Sequence, residues 1–190
     1  MKGDYWLYFN QALDSSWCDE IVDHATKTYE PTEAVFGFDD MKKNTSFRNS
    51  EIRWLNPKFE KGIVDEIWYY ANQVNRDSFD LDLRYINEIQ FTKYIGDPDT
   101  PGKYDWHHDV DWTEKRAFHR KLSVIFQLTD PNEYEGGNIE FDSTISPLPV
   151  EAFLKGSIIL FPSFHRHRVL PVTQGVRHSL VTWVEGPHWR

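Results

Sequence analysis

Near residue 83 the spacing of apolar residues changes from a helical period to an alternating one, and this change constrains the fold more than any other feature of the chain. Downstream come LRYINEIQFTKYI, YDWHHDVDW, KLSVIFQL, NIEF, GSIILF, HRVLPV and VRHSLVTWV, short stretches rich in Val, Ile, Phe and Tyr. Turn formers such as Gly136-Gly137 join them. Many short strands with no helix between them argue for a jelly roll or a related sandwich.

Upstream the pattern is helical. Asp14 to Ser16 offer capping side chains, and Trp17, Ile21 and Ala25 recur at spacing four, which predicts a first amphipathic helix. A second is predicted to start at Asn56-Pro57 and to carry Phe59, Ile63, Ile67, Tyr70 and Val74 on one stripe. Residues 30–47 between them are mostly polar, with Gly37 and the Asp39-Asp40 pair, and suit either a lid or a connection. No repeat, low-complexity run or linker divides the chain. The expectation is one domain over 1–190 of α+β, mainly β class, with helical support over 14–75 and a β core over about 83–186.

Composition narrows the function classes. Apolar residues make up 39% and aromatics 16%, enough for a packed interior despite a mean hydropathy of −0.63. The charge sum is 21 − 30 = −9, and so acidic a body repels a phosphate backbone, so no nucleic-acid partner is expected. The local basic cluster Lys115, Arg116, His119, Arg120 and Lys121 reads as a solvated loop. Cys18 is the single cysteine and falls in the first predicted helix, which suits a reducing interior. The start MKGDYWLYFNQALD lacks a small-residue cleavage site, and no apolar run approaches the ~20 residues a bilayer needs. A cytoplasmic protein with no membrane partner is expected.

In YDWHHDVDW, alternation puts His107 and Asp109 on one side of a strand and Trp106, His108 and Val110 on the other. A lone His-x-Asp pair is a weak signal and needs a distant third ligand. FPSFHRHRVLPV supplies His165 and His167 near a strand start, either of which completes a set of two imidazoles and one carboxylate. Iron(II) held by such a set on one face keeps three positions free for a chelating cosubstrate and dioxygen. Ten positions beyond His167, alternation puts Arg177, Ser179, Val181 and Trp183 on one face of VRHSLVTWV. A guanidinium on an otherwise apolar strand requires an anionic partner, either a carboxylate ligand held by two parallel hydrogen bonds, with Ser179 placed to add a third, or an acid of the chain itself.

The set Tyr-x-x-His-x-Asp followed by HRVLPVTQGVRHSLVTW resembles the prolyl-4-hydroxylase-type branch of iron(II)/2-oxoglutarate oxygenases. The likeness covers roughly residues 83–186, with a looser one over the helix near Ser16 and over FRNSEIRWL. It implies a double-stranded β-helix (jelly roll) core. In that family the last histidine ligand is followed by Arg-Val and then Pro-Val, which selects His167 beside His107 and Asp109 as the catalytic metal set. Arg177 then binds the distal carboxylate of 2-oxoglutarate, and Tyr94 resembles the tyrosine that touches it. Gln127, an inward amide on an otherwise apolar strand, stands where some relatives have tyrosine.

The implied cofactors are Fe(II), 2-oxoglutarate as cosubstrate and dioxygen, with ascorbate as an accessory candidate. The implied reaction is hydroxylation of a C–H bond with release of succinate and CO2, since Asp109 keeps the carboxylate that related halogenases lack. A peptidyl proline is the implied substrate, and a free amino acid or small metabolite is the alternative. Residues 30–47 and 113–120 are the expected substrate loops, joined by Arg48, Arg53 and Trp54. A non-catalytic cupin-like binding module is the alternative of another class, and it leaves Arg177 unexplained.

Overall fold

A computed structural model of the chain describes residues 5–34, 45–112, 117–142 and 145–190. Among these the strands are β1 (Leu7–Phe9), β2 (Thr32–Glu33), β3 (Arg48–Asn49), β4 (Glu51–Leu55), β5 (Tyr85–Ile95), β6 (Gly102–His107), β7 (His119–Gln127), β8 (Tyr134–Gly136), β9 (Ile139–Phe141), β10 (Ile158–Pro162) and β11 (His167–Gly186). The α-helices are α1 (Ser15–Thr28) and α2 (Lys61–Val74). The main sheet runs β1-β10-β7-β11-β5-β4-β2, and its pairings are antiparallel. A second sheet forms where the first half of β11 pairs with β6, β8 and β9, with β3 on β6.

Strand alternation sorts the side chains into two cores. From β7, Leu122, Val124 and Phe126 face the helices, where they meet Ile21 and Ala25 of α1 and Ile63, Ile67 and Ala71 of α2. Ile125 points the other way, toward Ile139, Phe141, Phe161, Val169 and Val172 between the two sheets. Each aliphatic side chain sealed under the helices contributes roughly 1.5–3 kcal/mol, so the helical layer holds the main sheet from behind. The face left toward the second sheet carries Ser123, Gln127, Arg177 and Ser179, all buried. The functional groups thus line the interior of the sandwich.

Three sequence expectations are corrected. α2 begins at Lys61 and not at Asn56-Pro57, because Asn56 closes a turn instead: its Oδ1 accepts from the Lys58 N–H and its carbonyl from the Phe59 N–H. Asp14 occupies the N-cap position of α1, but its side chain makes no capping hydrogen bond. The two stretches HRVLPV and VRHSLVTWV form one continuous strand, β11, which changes sheets midway. Gly175 permits that passage with φ +70°, and a Cβ there would come within 2.0 Å of the Glu133 carbonyl oxygen. Strands also occur ahead of residue 83, since β4 extends the main sheet beside β5. Among the described residues no helix is long and apolar enough to cross a membrane.

Candidate active site

β6 ends at His107, so Asp109 lies in a bend beyond the strand and strand alternation does not place it. Hydrogen bonds place it instead. Its N–H donates to the Ser163 carbonyl at 3.0 Å, and Ser123 Oγ donates to its Oδ2 at 2.6 Å while pairing with Ser163 Oγ at 2.9 Å. β11 begins at His167, in register opposite His107. His107 Nε2 lies 3.7 Å from Asp109 Oδ1, and His167 Nε2 lies 3.7 Å from Asp109 Oδ2. All three donor atoms fall within 4.8 Å of one another.

Both imidazoles are oriented in the same way. His107 Nδ1 sits 2.7 Å from the Asp105 carbonyl and His167 Nδ1 sits 2.9 Å from the His165 carbonyl. A carbonyl only accepts, so each Nδ1 carries a proton and each Nε2 is the ring nitrogen turned to the shared space. Burial, followed by the neighbouring His167, holds the His107 pKa well below its ordinary value, which keeps the ring neutral. Burial pushes the Asp109 carboxyl up, but His167, His107, Arg120 and the Ser123 hydroxyl outweigh it and the net shift is downward. Two ring nitrogens and one carboxylate thus meet on one side of a small buried space. Bonds of about 2.1 Å put two donors of one ion at most ~4.2 Å apart, and both 3.7 Å separations fall inside that limit.

Arg177 stands further along β11, opposite Tyr94 in register and only 1% exposed. Its Nη2 donates to Gln127 Oε1 at 2.9 Å, while Nε and Nη1 have no acceptor among the described residues, and no acid pairs with it there. Of the two partners weighed for this guanidinium, an acid is therefore not the one it has among the described residues. Tyr94 is buried with its ring 5.4 Å from the guanidinium carbon, and burial raises its pKa against the opposing fields of Arg48 and Arg177. Ser179 lies opposite Gln127 in register and is 1% exposed. Arg177, Tyr94, Gln127 and Ser179 thus share one wall.

Several contributors escaped the sequence reading. Ser123 is a polar residue on an apolar strand, the same signal that drew attention to Gln127 on that strand. Tyr104 stacks on His107 with ring centroids 3.5 Å apart, and the Arg48 guanidinium lies 4.3 Å over Tyr104. Arg120, read as part of a solvated basic loop, is instead drawn inward. Its guanidinium lies 3.4 Å over Trp183, pairs with Glu88 and reaches the Asp109 carbonyl at 3.5 Å. Lys121 is buried against Trp189, while Lys115 and Arg116 lie outside the described residues. Arg53 is tied to Tyr29 and Glu51, and Trp54 rests against Trp183. Of the expected substrate loops, 35–44 and 113–116 lie outside the described residues. His108 and His178 make their contacts with Phe164 and Thr129, away from the three donors.

A model of the 2OG-Fe(II) oxygenase superfamily matches residues 89–185, just over half of the 190. The chain belongs to that superfamily. A PKHD-type hydroxylase of Synechococcus sp. (strain CC9902) is 35% identical to this 2OG-Fe(II) oxygenase over 174 residues, covering 81% of it and 76% of the relative. One from Aliarcobacter butzleri (strain RM4018) is 38% identical over 106 residues, and the match spans 54% of this chain and 45% of that one. The chain thus covers less than half of the length of that relative. Among solved structures, a Pseudomonas putida prolyl-4-hydroxylase superposes with TM-score 0.71 at 20% identity, covering 98% of this chain and 95% of the other. The 2-oxoglutarate complex of a viral collagen prolyl hydroxylase from Paramecium Bursaria Chlorella virus-1 gives 0.69 at 20% identity, with 97% of each chain covered. These two establish a shared fold, in agreement with the mainly β jelly-roll class expected from the sequence.

Membership brings Fe(II), 2-oxoglutarate and dioxygen, and residues of this chain fit them. Two imidazoles and a carboxylate on one side suit a ferrous ion that must keep positions open. A buried guanidinium with two nitrogens unmet among the described residues suits a carboxylate.

Proposed function

We propose that this protein is an Fe(II)- and 2-oxoglutarate-dependent dioxygenase that hydroxylates a prolyl residue in a peptide or protein, with release of succinate and CO2. The observation that carries the reading is Arg177, sealed inside the sandwich with Nε and Nη1 lacking any acceptor among the described residues. Leaving a buried charge in that state costs several kcal/mol, and an incoming carboxylate relieves it. His107, Asp109 and His167 hold the metal, Arg177 anchors the distal carboxylate of 2-oxoglutarate, and Tyr94, Ser179 and Gln127 line its binding wall. When bound, the ferrous ion with its cosubstrate and dioxygen supplies the oxidant for C–H hydroxylation.

The protein's own part is positional. The Asp105 and His165 carbonyls fix the two imidazole tautomers, Ser123 fixes the carboxylate rotamer, and Gln127 holds one edge of the guanidinium so that the other faces the cosubstrate. Tyr104 and Phe161 pack against the histidine rings and keep water off them. The prolyl substrate is supported by relatives named PKHD-type hydroxylases and by shared folds named prolyl hydroxylases, one of them in complex with a hypoxia inducible factor peptide fragment from Trichoplax adhaerens. The single buried thiol supports a cytoplasmic location.

The test is anaerobic addition of Fe(II) and 2-oxoglutarate to the wild type and to Arg177→Ala. The wild type is expected to show the weak visible charge-transfer band of the chelate and the variant to need far more 2-oxoglutarate to reach it. No band in the wild type overturns the cosubstrate assignment. Under turnover, mass spectrometry of proline-containing peptides reads a gain of one oxygen. Succinate formation with unmodified peptides and a modified small molecule overturns the prolyl part alone.

A further inference from the structure

On the far side of the main sheet from the three donors, α1 and α2 leave a groove of about 310 Å³ between them. Trp17, Ile21, Phe59 and Ile63 give it apolar walls, and Glu20 and Glu60 supply carboxylates. We propose that this groove is a docking site for an arginine side chain carried on a protein segment. The inference is independent of the chemistry proposed for the metal site.

Three features of the groove call for an occupant. Glu60 is only 8% exposed and takes the hydrogen bonds of both Tyr29 Oη and His24 Nε2 on its Oε1, so Oε2 has none among the described residues. Phe59 lies at the rim, 78% exposed, although an aromatic ring gains free energy when covered. Gly62 sits in the first turn of α2, where a Cβ would meet nothing within 4 Å. Neither backbone strain nor crowding among the described residues asks for glycine there. Its effect is to keep open the space above the α2 surface.

The chemistry selects the occupant. Glu20 and Glu60 bring two negative charges, while Lys61, also in the lining, is paired with Asp65 along the helix. The partial positive charge of the α2 N-terminus, roughly half an elementary charge, does not offset them. With His24 also on Glu60 Oε1, the two carboxylates favour a cation over an anion. An arginine lays its methylene stem on Ile21 and Ile63, stacks its plane on Trp17 or Phe59 and offers its fork to the free Glu60 oxygen, whereas a lysine ammonium lacks the planar match. Free arginine would carry its own carboxylate into an acidic groove, so a residue within a chain, with that charge removed, binds better.

The test titrates acetyl-Gly-Arg-Gly-amide into the 15N-labelled full-length protein while following the Trp17 indole and Gly62 amide signals. Saturable shifts of both are expected, with the lysine peptide binding more weakly and the citrulline peptide, which lacks the charge, losing about tenfold in affinity. Gly62→Leu fills the groove at a position with room for a side chain. It should fold normally, lose about tenfold or more in arginine-peptide affinity and leave the rate of succinate formation unchanged. Glu60→Gln, which keeps the hydrogen bonds to Tyr29, should lose about fivefold. Equal binding of the citrulline peptide, unchanged binding by Gly62→Leu, or no saturable shift up to about 20 mM peptide overturns the proposal. Shifts of the same signals on dilution of the protein alone would make the occupant a second copy of this chain and overturn it as well.

Discussion

The Ser123 hydroxyl donates to Asp109 Oδ2 at 2.6 Å from a strand that reaches the carboxylate out of the main sheet. This bond and the Ser163 carbonyl on the Asp109 N–H do for Asp109 what a strand does for His107. Ser123→Ala frees the carboxylate to rotate, and metal affinity should fall about 10–100-fold. Calorimetric titration with Mn(II) as an oxygen-stable probe reads the loss, and activity at saturating Fe(II) should recover most of the way. Unchanged Mn(II) affinity would show that Asp109 is held by the backbone alone.

Gln127→Glu places a carboxylate beside Arg177 with almost no change of shape. The guanidinium gains an internal partner, so the variant should melt higher in the absence of 2-oxoglutarate and bind 2-oxoglutarate about tenfold or more weakly. Calorimetric melting with and without the cosubstrate distinguishes the two effects. A variant that binds 2-oxoglutarate as tightly as the wild type would remove Gln127 from the pocket wall.

His178 gives the fold a defined acid weakness. Burial, then Lys93 and Arg177, push its pKa down to about 4, and its backbone N–H already occupies Thr129 Oγ1, leaving that hydroxyl to donate to Nδ1. The folded value lies below the unfolded one of about 6.5, so between these values the unfolded chain binds a proton that the folded chain refuses. Stability is fully present above pH ~6.5 and falls as pH drops toward 4, by on the order of 1–3 kcal/mol. His165, also pushed down to about 4 by burial and then by His167 and His108, adds a loss of the same sign. Urea midpoints measured from pH 7 to 4.5 should fall less steeply in His178→Phe, whose ring keeps the stack on Phe91. An identical slope would place the acid sensitivity elsewhere.

Cys18 is buried, its pKa is pushed up to about 11, chiefly by burial, and its Sγ approaches the Gln127 carbonyl at 3.9 Å. At pH 8 the native protein should resist Ellman's reagent, and one thiol should titrate after unfolding in guanidinium. Rapid labelling of the native state would mean that α1 opens from the sheet.

What the sequence disclosed and what it withheld follow the range of the interactions involved. Alternation along KLSVIFQL and VRHSLVTWV separates side chains by a rule internal to one strand, so the common inward face of Gln127, Arg177 and Ser179 was legible. The helices were legible from Ile21, Ala25, Ile63 and Ile67, but the start of α2 was not, because Asn56 caps a turn as readily as a helix and only the chain's route decides between them. Asp109 lies beside His107, but strand alternation is not what puts it there: the strand stops at His107, and bonds to Ser123 and Ser163, 14 and 54 residues away, supply the convergence. Arg120 was misread for the same cause, since its inward turn depends on Trp183 and Glu88, which belong to other strands.

Because β11 passes unbroken from one sheet to the other, the gap between His167 and Arg177 is a property of a single ribbon and not of how two separate pieces happen to dock. On the proposed assignment such a ribbon would work as a fixed caliper, with Gly175 lying between its two jaws and the span between them setting the length of molecule that fits. If that assignment holds, adding or deleting two residues within it would leave each jaw's own residues unchanged and alter the size of acid that fits.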